Sequence, residues 1–417
     1  MVRFPLCMPI FQSAISNIRS RKVLFQFREY RFKYFNLRLV LFISCLTLLG
    51  VKVIGSAIND GSDKKQLICF CAGLVVMLFL SIVDYHFILK FHWVIYVVNM
   101  GLLIYVKFKG DSGNGAQRWI RFGGSFGIQP SELAKICIIL FFAWMLQKYQ
   151  EKLNSPRVLF CVLFLFFMPC YLIYKQPDLS SSIVFLVIFC SIIFLAGLSY
   201  WYIGAAMAVG VPSLSFLIYK ILQPGQTLIS NYQKSRLLGF LYQNSSAEEL
   251  AKHGLDINQI NAINYQQKNS MLAIGSGQLL GKGLHNNTIT SVKNGNFLAE
   301  QQTDFIYAIV GEELGFAGAL AVIVLLFLIS IECLWVARNA KDLSGKLIAG
   351  GMAAIIAFQS FVNLGVATWI LPNTGLPLPF VSYGMSSLMS LMIGMGVVLN
   401  VSIQRELTFK EVLYTEY

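Results

Sequence analysis

Ten apolar stretches of about 20 residues run along a chain of 417, and they constrain its fold more than any motif does. They lie near 38–57, 66–84, 87–106, 129–147, 157–174, 179–197, 201–221, 304–330, 347–370 and 384–403. A hydrocarbon core roughly 30 Å thick takes about 20 residues of helix. The chain is 56% hydrophobic and 13% charged, against about 25% charged in soluble proteins. The expected fold is an all-α polytopic membrane protein with about ten transmembrane helices.

Orientation follows from Lys and Arg in the short connections. Segment 1–37, the Lys148/Lys152/Arg157 connection, the Arg338/Lys341/Lys346 connection and the tail 404–417 share one side of a ten-span chain. That side is expected to be the cytoplasm, with both termini there and the chain multi-pass in the cytoplasmic membrane. The N-terminus shows no cleavable signal pattern. Basic residues from Arg19 to Arg38 precede the first long apolar run, as in a retained segment. A disordered tail and a docked amphipathic helix suit it equally. The net charge of +13 sits in such clusters, which fits the lipid bilayer as a partner and not nucleic acid. The nine cysteines show no zinc spacing, and the four histidines are scattered.

Three outward segments have unusual composition: 107–128, 222–303 and the proline-rich turn 371–380. The first carries Lys107, Lys109, Arg118 and Arg121 against the charge rule, and such a local violation often marks a functional site. Lys64 and Lys65 are a smaller violation without an explanation. The segment 222–303 is polar, rich in Gln, Asn and Gly, and does not read as a separate domain; 246–262 reads as amphipathic.

Charge within spans costs at least ~2.5 kcal/mol unless paired or hydrated. In Gln129-Pro130-Ser131-Glu132-Leu133-Ala134-Lys135, Glu132 and Lys135 share a helical face. They form either a structural ion pair or the lining of an outward-opening cavity. Asp304 stands at an expected helix N-terminus, where the macrodipole favours its ionised form; its bland role is a cap. Glu312 and Glu313 follow about 12 Å deeper at 1.5 Å per residue, and require hydration, a cation or partners such as Lys135. Asp178, in Gln176-Pro177-Asp178-Leu179-Ser180, is a cap or a functional carboxylate. The run Gly275-Ser276-Gly277-Gln278-Leu279-Leu280-Gly281-Lys282-Gly283 fails the P-loop pattern at Ser276 and Gly283, so no nucleotide is expected. Its glycines remain candidates for a phosphate nest.

Taken in order, these motifs resemble the SEDS family of RodA and FtsW. The matching stretches are Gly115 to Ile120, Gln129 to Lys135, Gln176 to Leu179, Ala273 to Gly283, Thr303 to Ile306, Gly311 to Gly315, and Gly375 to Pro379 with Ser382-Tyr383-Gly384. The resemblance implies a ten-helix peptidoglycan glycosyltransferase that polymerises lipid II in elongation or division beside a class B penicillin-binding protein. It places the family's essential aspartate at Asp304 and its conserved Glu and Lys at Glu132 and Lys135. Two departures are Gln302, where the family has His, and Met385, where it has Gly; the second puts the local backbone path in question.

On that resemblance Asp304 is the expected catalytic base, or alternatively a ligand for a divalent cation, Mg or Mn. Arg118, Arg121 and Lys135 are candidates for the pyrophosphate. Glu132, Asp178, Glu312, Glu313 and Ser382 complete the expected substrate-binding set. The rival readings are a lipid II flippase and a non-catalytic cell-wall scaffold.

Overall fold

The computed structural model describes residues 30–58, 60–113, 116–121, 127–176, 178–222, 231–243, 245, 257–285, 291, 293, 295, 297–298 and 300–405. The basic segment before Tyr30, the tail after Arg405 and the 246–256 part of the expected amphipathic stretch lie outside them. The first half of the bundle holds α1 (Leu37–Ala57), α2 (Ser62–Ile82), the short α3 (Tyr85–Lys90), α4 (His92–Lys109), α5 (Pro130–Lys148), α6 (Pro156–Tyr174), α7 (Leu179–Leu195) and α8 (Tyr200–Leu222). After it come α9 (Asn231–Leu241) and α10 (Ile257–Ser276), then α11 (Ile306–Arg338), α12 (Leu343–Ala367) and α13 (Met385–Ile403). Eight of these helices are long and apolar enough to cross a membrane. Two more, α7 with 17 residues and α4 with 18, complete ten alternating crossings.

Local sequence sets the boundaries. Asn36 caps α1 by accepting from the Leu39 amide, and Asp342 caps α12 by accepting from Gly345; both offer a side-chain oxygen to an otherwise orphaned N–H. Proline opens α5 and α6, where its missing N–H costs nothing. Helices α5, α12 and α13 are buried along most of their length, whereas nearly every described side chain of α8 is exposed. The apolar surface of α8 therefore needs lipid around it. The third expected span begins as the separate turn α3, capped by Asp84, before α4.

Segment 107–128 holds the only strands among the described residues, an antiparallel sheet of β1 (Asp111–Gly113), β2 (Ala116–Arg121) and β3 (Gly127–Ile128). The β1–β2 register shifts between Asp111 and Ser112, which face Trp119 and Gln117, so Arg118 is the extra residue of a bulge on β2. Segment 222–303 contributes α9 and α10, packed on the bundle: Gln267 Nε2 on α10 donates to the carbonyls of Val366 (3.0 Å) and Leu371 (2.8 Å).

End-to-end contacts sort the spans into two faces. On one, Tyr30 donates to the Ile82 carbonyl at 2.7 Å, the Arg31 amide to Ile403 at 2.9 Å, and Gln404 to Asp84 at 3.1 Å. On the other, Gln301 donates to the Ala57 carbonyl at 2.9 Å and the Gln129 amide to Ser386 at 3.0 Å. Tyr30 and Gln404, at opposite ends of the described chain, share the first face, as an even number of crossings requires. Single cysteines at His285→Cys and Lys341→Cys in a cysteine-free background should label from opposite sides of the membrane. Labelling of both from one side would overturn the ten-span arrangement.

The first face carries a lock between α3 and the start of α12. His86 Nδ1 meets Asp84 Oδ1 and His86 Nε2 meets Asp342 Oδ2, each at 3.0 Å, and Tyr85 donates to Asp342 at 2.7 Å. Burial opposes the imidazolium, but the hydrogen bonds and charges of Asp342 and Asp84 outweigh it and push the His86 pKa up to about 9. A raised pKa adds stability that is complete below the unfolded value near 6.5 and lost as pH rises through about 9. The melting-temperature loss on His86→Gln should therefore be larger at pH 6 than at pH 10.

Candidate active site

The site is built around the turn 300–305 ahead of α11. Asp304 is not the cap of that helix: the N-cap is Phe305, and no side chain caps it. The cap role is thereby removed. The Asp304 amide donates to the Glu300 carbonyl at 3.1 Å, and its own carbonyl accepts from Asn363 Nδ2 on α12 at 2.9 Å. Asn363 also donates to the Leu376 carbonyl at 2.8 Å, so one amide ties the aspartate to the proline-rich turn. Ser382 donates to the Thr303 carbonyl at 2.6 Å and accepts from the Leu378 amide at 2.8 Å; the Tyr383 amide donates to Gln302 at 2.9 Å. Backbone groups of Glu300, Gln302, Thr303 and Asp304 are thus fixed.

Its carboxylate is left without a salt bridge among the described residues. Burial raises the Asp304 pKa, the Arg236 guanidinium opposes that, Glu300 adds to it, and Thr303 and Arg118 pull it back, for a net value of about 6. Burial, the largest influence on this carboxyl, therefore outweighs the depression expected from a helix dipole. Gly375 lies against the carboxylate. A Cβ placed on it would stand 3.2 Å from Asp304 Oδ2 and 3.8 Å from Arg236 Nη1. Its φ of +73° suits glycine. Arg236, on α9, also donates to the Asn373 carbonyl at 3.2 Å.

The other expected residues fall into separate settings. Lys135 and Glu132 form a fully buried pair at 2.8 Å, three residues apart on α5. Arg118 is half-buried and donates to the Gln176 carbonyl at 3.4 Å, while Arg121 is exposed. Asp178 caps α7, accepting from the Ser181 amide (3.1 Å) and hydroxyl (2.8 Å). The hydroxyl of Ser382 is committed to the backbone bonds given above. Glu312 and Glu313 do not pair with Lys135; their partners are Lys282 at 2.8 Å and Lys293 at 2.6 Å.

The glycine run is no phosphate nest. The amides of Lys282 and Gly283 donate to the carbonyls of Glu312 and Glu313 at 3.0 and 2.9 Å, and Phe316 and Ala317 donate back to Gln278 and Leu279 at 2.8 and 3.1 Å. This exchange is possible because α11 is kinked at Gly315 (φ 64°, ψ −164°), which frees its backbone groups for the loop. A Cβ on Gly281 would stand 2.2 Å from the Glu313 carbonyl oxygen, so the glycines serve close backbone approach. Met385 begins α13 with an ordinary helical path, and its departure from glycine has no backbone consequence.

Arg236, Lys293 and Asn363 were not singled out in the sequence. The first two carry a usable signal: both are basic in an outward segment, the same violation that marked 107–128. Asn363 sits among apolar neighbours in a span and gives none.

Residues 30–407 match the family model FTSW_RODA_SPOVE, described as "Cell cycle protein", and the chain belongs to that family. It is 32% identical over 381 residues to peptidoglycan glycosyltransferase MrdB of Escherichia coli, covering 90% of this chain and 95% of that one. It is also 32% identical over 391 residues to the probable peptidoglycan glycosyltransferase FtsW of Geobacter metallireducens, covering 88% and 94%. Among solved structures it is similar to the rod shape determining protein RodA of Thermus thermophilus (TM-score 0.61, 26% identity, 91% and 98% covered). A chain solved in work on polymerization and crosslinking by a peptidoglycan synthase complex fits more closely (TM-score 0.71, 26% identity, 88% and 97% covered).

The buried Glu132–Lys135 pair separates two roles. Lys135→Met leaves a buried carboxylate unpaired and should cost about 3–5 kcal/mol of stability, read as a lower melting temperature. Adding Glu132→Gln should regain most of it. If the pair serves only structure, the double variant regains activity along with stability; a stable but inactive double variant assigns the pair to the reaction.

Proposed function

We infer that the chain is a peptidoglycan glycosyltransferase of the membrane, acting at the face where Asp304 lies, and that its substrate is lipid II. The carrying observation is a rigidly held, half-buried carboxylate without a salt bridge, flanked by two guanidinium groups, in a family whose named relatives have that activity. A sugar hydroxyl is a weak nucleophile, and a positioned base contributes about 10²–10⁴-fold. The acceptor hydroxyl gives its proton to Asp304 as its oxygen bonds to the anomeric carbon of the donor strand. The bond from that carbon to the pyrophosphate oxygen breaks, and its electron pair leaves on undecaprenyl pyrophosphate. Arg236 and Arg118 are the cations placed to meet that developing charge.

The same carboxylate would serve as a ligand for Mg or Mn. Among the described residues no three His, Cys, Asp or Glu side chains form a metal cage. Mg needs only one or two carboxylates when substrate phosphates complete its shell, and Asp304 with Glu300 would supply these. When bound, such an ion neutralises charge on the leaving group. A class B penicillin-binding protein is the proposed partner, by analogy with the solved complex that couples polymerization to crosslinking.

Asp304→Asn should abolish polymerisation of labelled lipid II by the purified protein with its partner and a divalent ion, read as strand length on a gel. Membrane insertion and melting temperature should be kept, since the substitution removes a buried charge. Polymer at near wild-type yield would sink the assignment, and lipid II translocation without polymer would favour a flippase. Because a base must be ionised, wild-type kcat/KM should fall as pH drops through about 6.

A further inference from the structure

The proline-rich turn beside Asp304 has two side-chain oxygens that nothing in the described chain uses. Asn373 Oδ1 and Thr374 Oγ1 are buried and meet no hydrogen-bond partner, although both backbone carbonyls are taken. Arg236 donates to that of Asn373 at 3.2 Å, and Ser180 on α7 to that of Thr374 at 2.5 Å. The turn is therefore gripped from α9 and α7 while its two side-chain oxygens stay buried and unpartnered. Unmet buried polar groups in a rigid setting call for a ligand or water. The next residue, Gly375, lies so close to the carboxylate that a Cβ on it would crowd Asp304 Oδ2 at 3.2 Å.

We propose that Asn373, Thr374 and Gly375 form the subsite for the acceptor's sugar ring, seating it over Gly375 so that one hydroxyl meets Asp304. This rests on the polymerase reading above and adds which substrate group binds where. The chemistry selects a neutral sugar over a phosphate. An amide oxygen only accepts, so it needs a hydroxyl or amide N–H donor, which a phosphate oxygen lacks. The Thr374 hydroxyl accepts or donates as a sugar hydroxyl requires, and the missing Cβ at Gly375 spares the approach to Asp304 Oδ2 the crowding a side chain would bring.

The test separates donor from acceptor. Labelled lipid II whose 4-hydroxyl is capped with galactose serves only as donor, and uncapped lipid II is titrated as acceptor in a single-coupling assay. Thr374→Val and Asn373→Leu should each raise the acceptor KM about tenfold, the effect of one lost hydrogen bond, with the donor KM changed less than about twofold. Thr374→Ser should bring the acceptor KM back toward the wild-type value. An unchanged acceptor KM in folded variants, or a donor KM that rises instead, overturns the subsite. A Thr374→Cys thiol gives a readout independent of turnover: 4-deoxy lipid II should protect it from a methanethiosulfonate reagent, and capped lipid II should not. Equal protection by both, or by neither, also overturns the subsite. Absence of coupling by wild-type protein would instead defeat the polymerase reading, and the protection result would still judge the subsite.

Discussion

The cost of placing charge where water is scarce organises this molecule. Glu132 is met by Lys135 at 2.8 Å, Glu312 by Lys282 at 2.8 Å, Glu313 by Lys293 at 2.6 Å and Glu332 by Arg38 at 3.2 Å. Removing one partner of such a pair is far more damaging than replacing both with apolar groups, so each pair fixes the relative position of the segments that carry it. Three of the four join parts of the chain far apart in sequence. Asp304 stands outside this pattern, half-buried without a salt bridge, and its pKa is raised to about 6 in consequence. A carboxylate left in that condition, while its own backbone is clamped from two directions, is built to be used.

The ion pairs of α11 also explain how a long polar segment becomes part of the site. Lys282 and Lys293 belong to the outward stretch between α10 and α11, and both bind carboxylates about two helical turns below Asp304. The kink at Gly315 gives that stretch backbone carbonyls to hold as well. Loop and aspartate are therefore referred to the same rigid piece of helix. From the opposite side, Asn363 ties Asp304 to the proline-rich turn. The proposed base is positioned by long-range bonds, which suits a reaction whose acceleration depends on orientation.

Much of the fold was legible because it follows from hydropathy. The span positions, the even number of crossings and the two faces all emerge from apolar length and basic connections. Short-range capping was legible at Asp178, whose side chain reaches Ser181, and pairing at Glu132 and Lys135, which share a helical face. Three-dimensional pairing was not. Glu312 takes a lysine 30 residues earlier in the chain, and no periodicity indicates that choice. The glycine run looked like a ligand-binding loop because glycines serve any close backbone approach, whether the neighbour is a phosphate or, as here, the kinked α11. Arg118 and Arg121 were both candidates for the pyrophosphate, but a bulged strand, unexpected in an all-helical chain, leaves Arg118 half-buried on the Gln176 carbonyl and Arg121 exposed.

The electrostatics around Asp304 reconcile two opposed demands. The leaving pyrophosphate of the proposed reaction needs cations nearby, yet a cation in contact with a carboxylate makes it a poorer base. A salt bridge would have driven the pKa of Asp304 well below the carboxylate range and left its charge neutralised. Arg236 and Arg118 instead act through space and lower a value that burial has raised, with Glu300 opposing them. The hydrogen bonds of Arg236 to the Asn373 carbonyl and of Arg118 to the Gln176 carbonyl hold both guanidinium groups on neutral acceptors. The same two arginines can therefore attract a pyrophosphate while Asp304 remains basic enough to accept a proton from a hydroxyl near neutral pH.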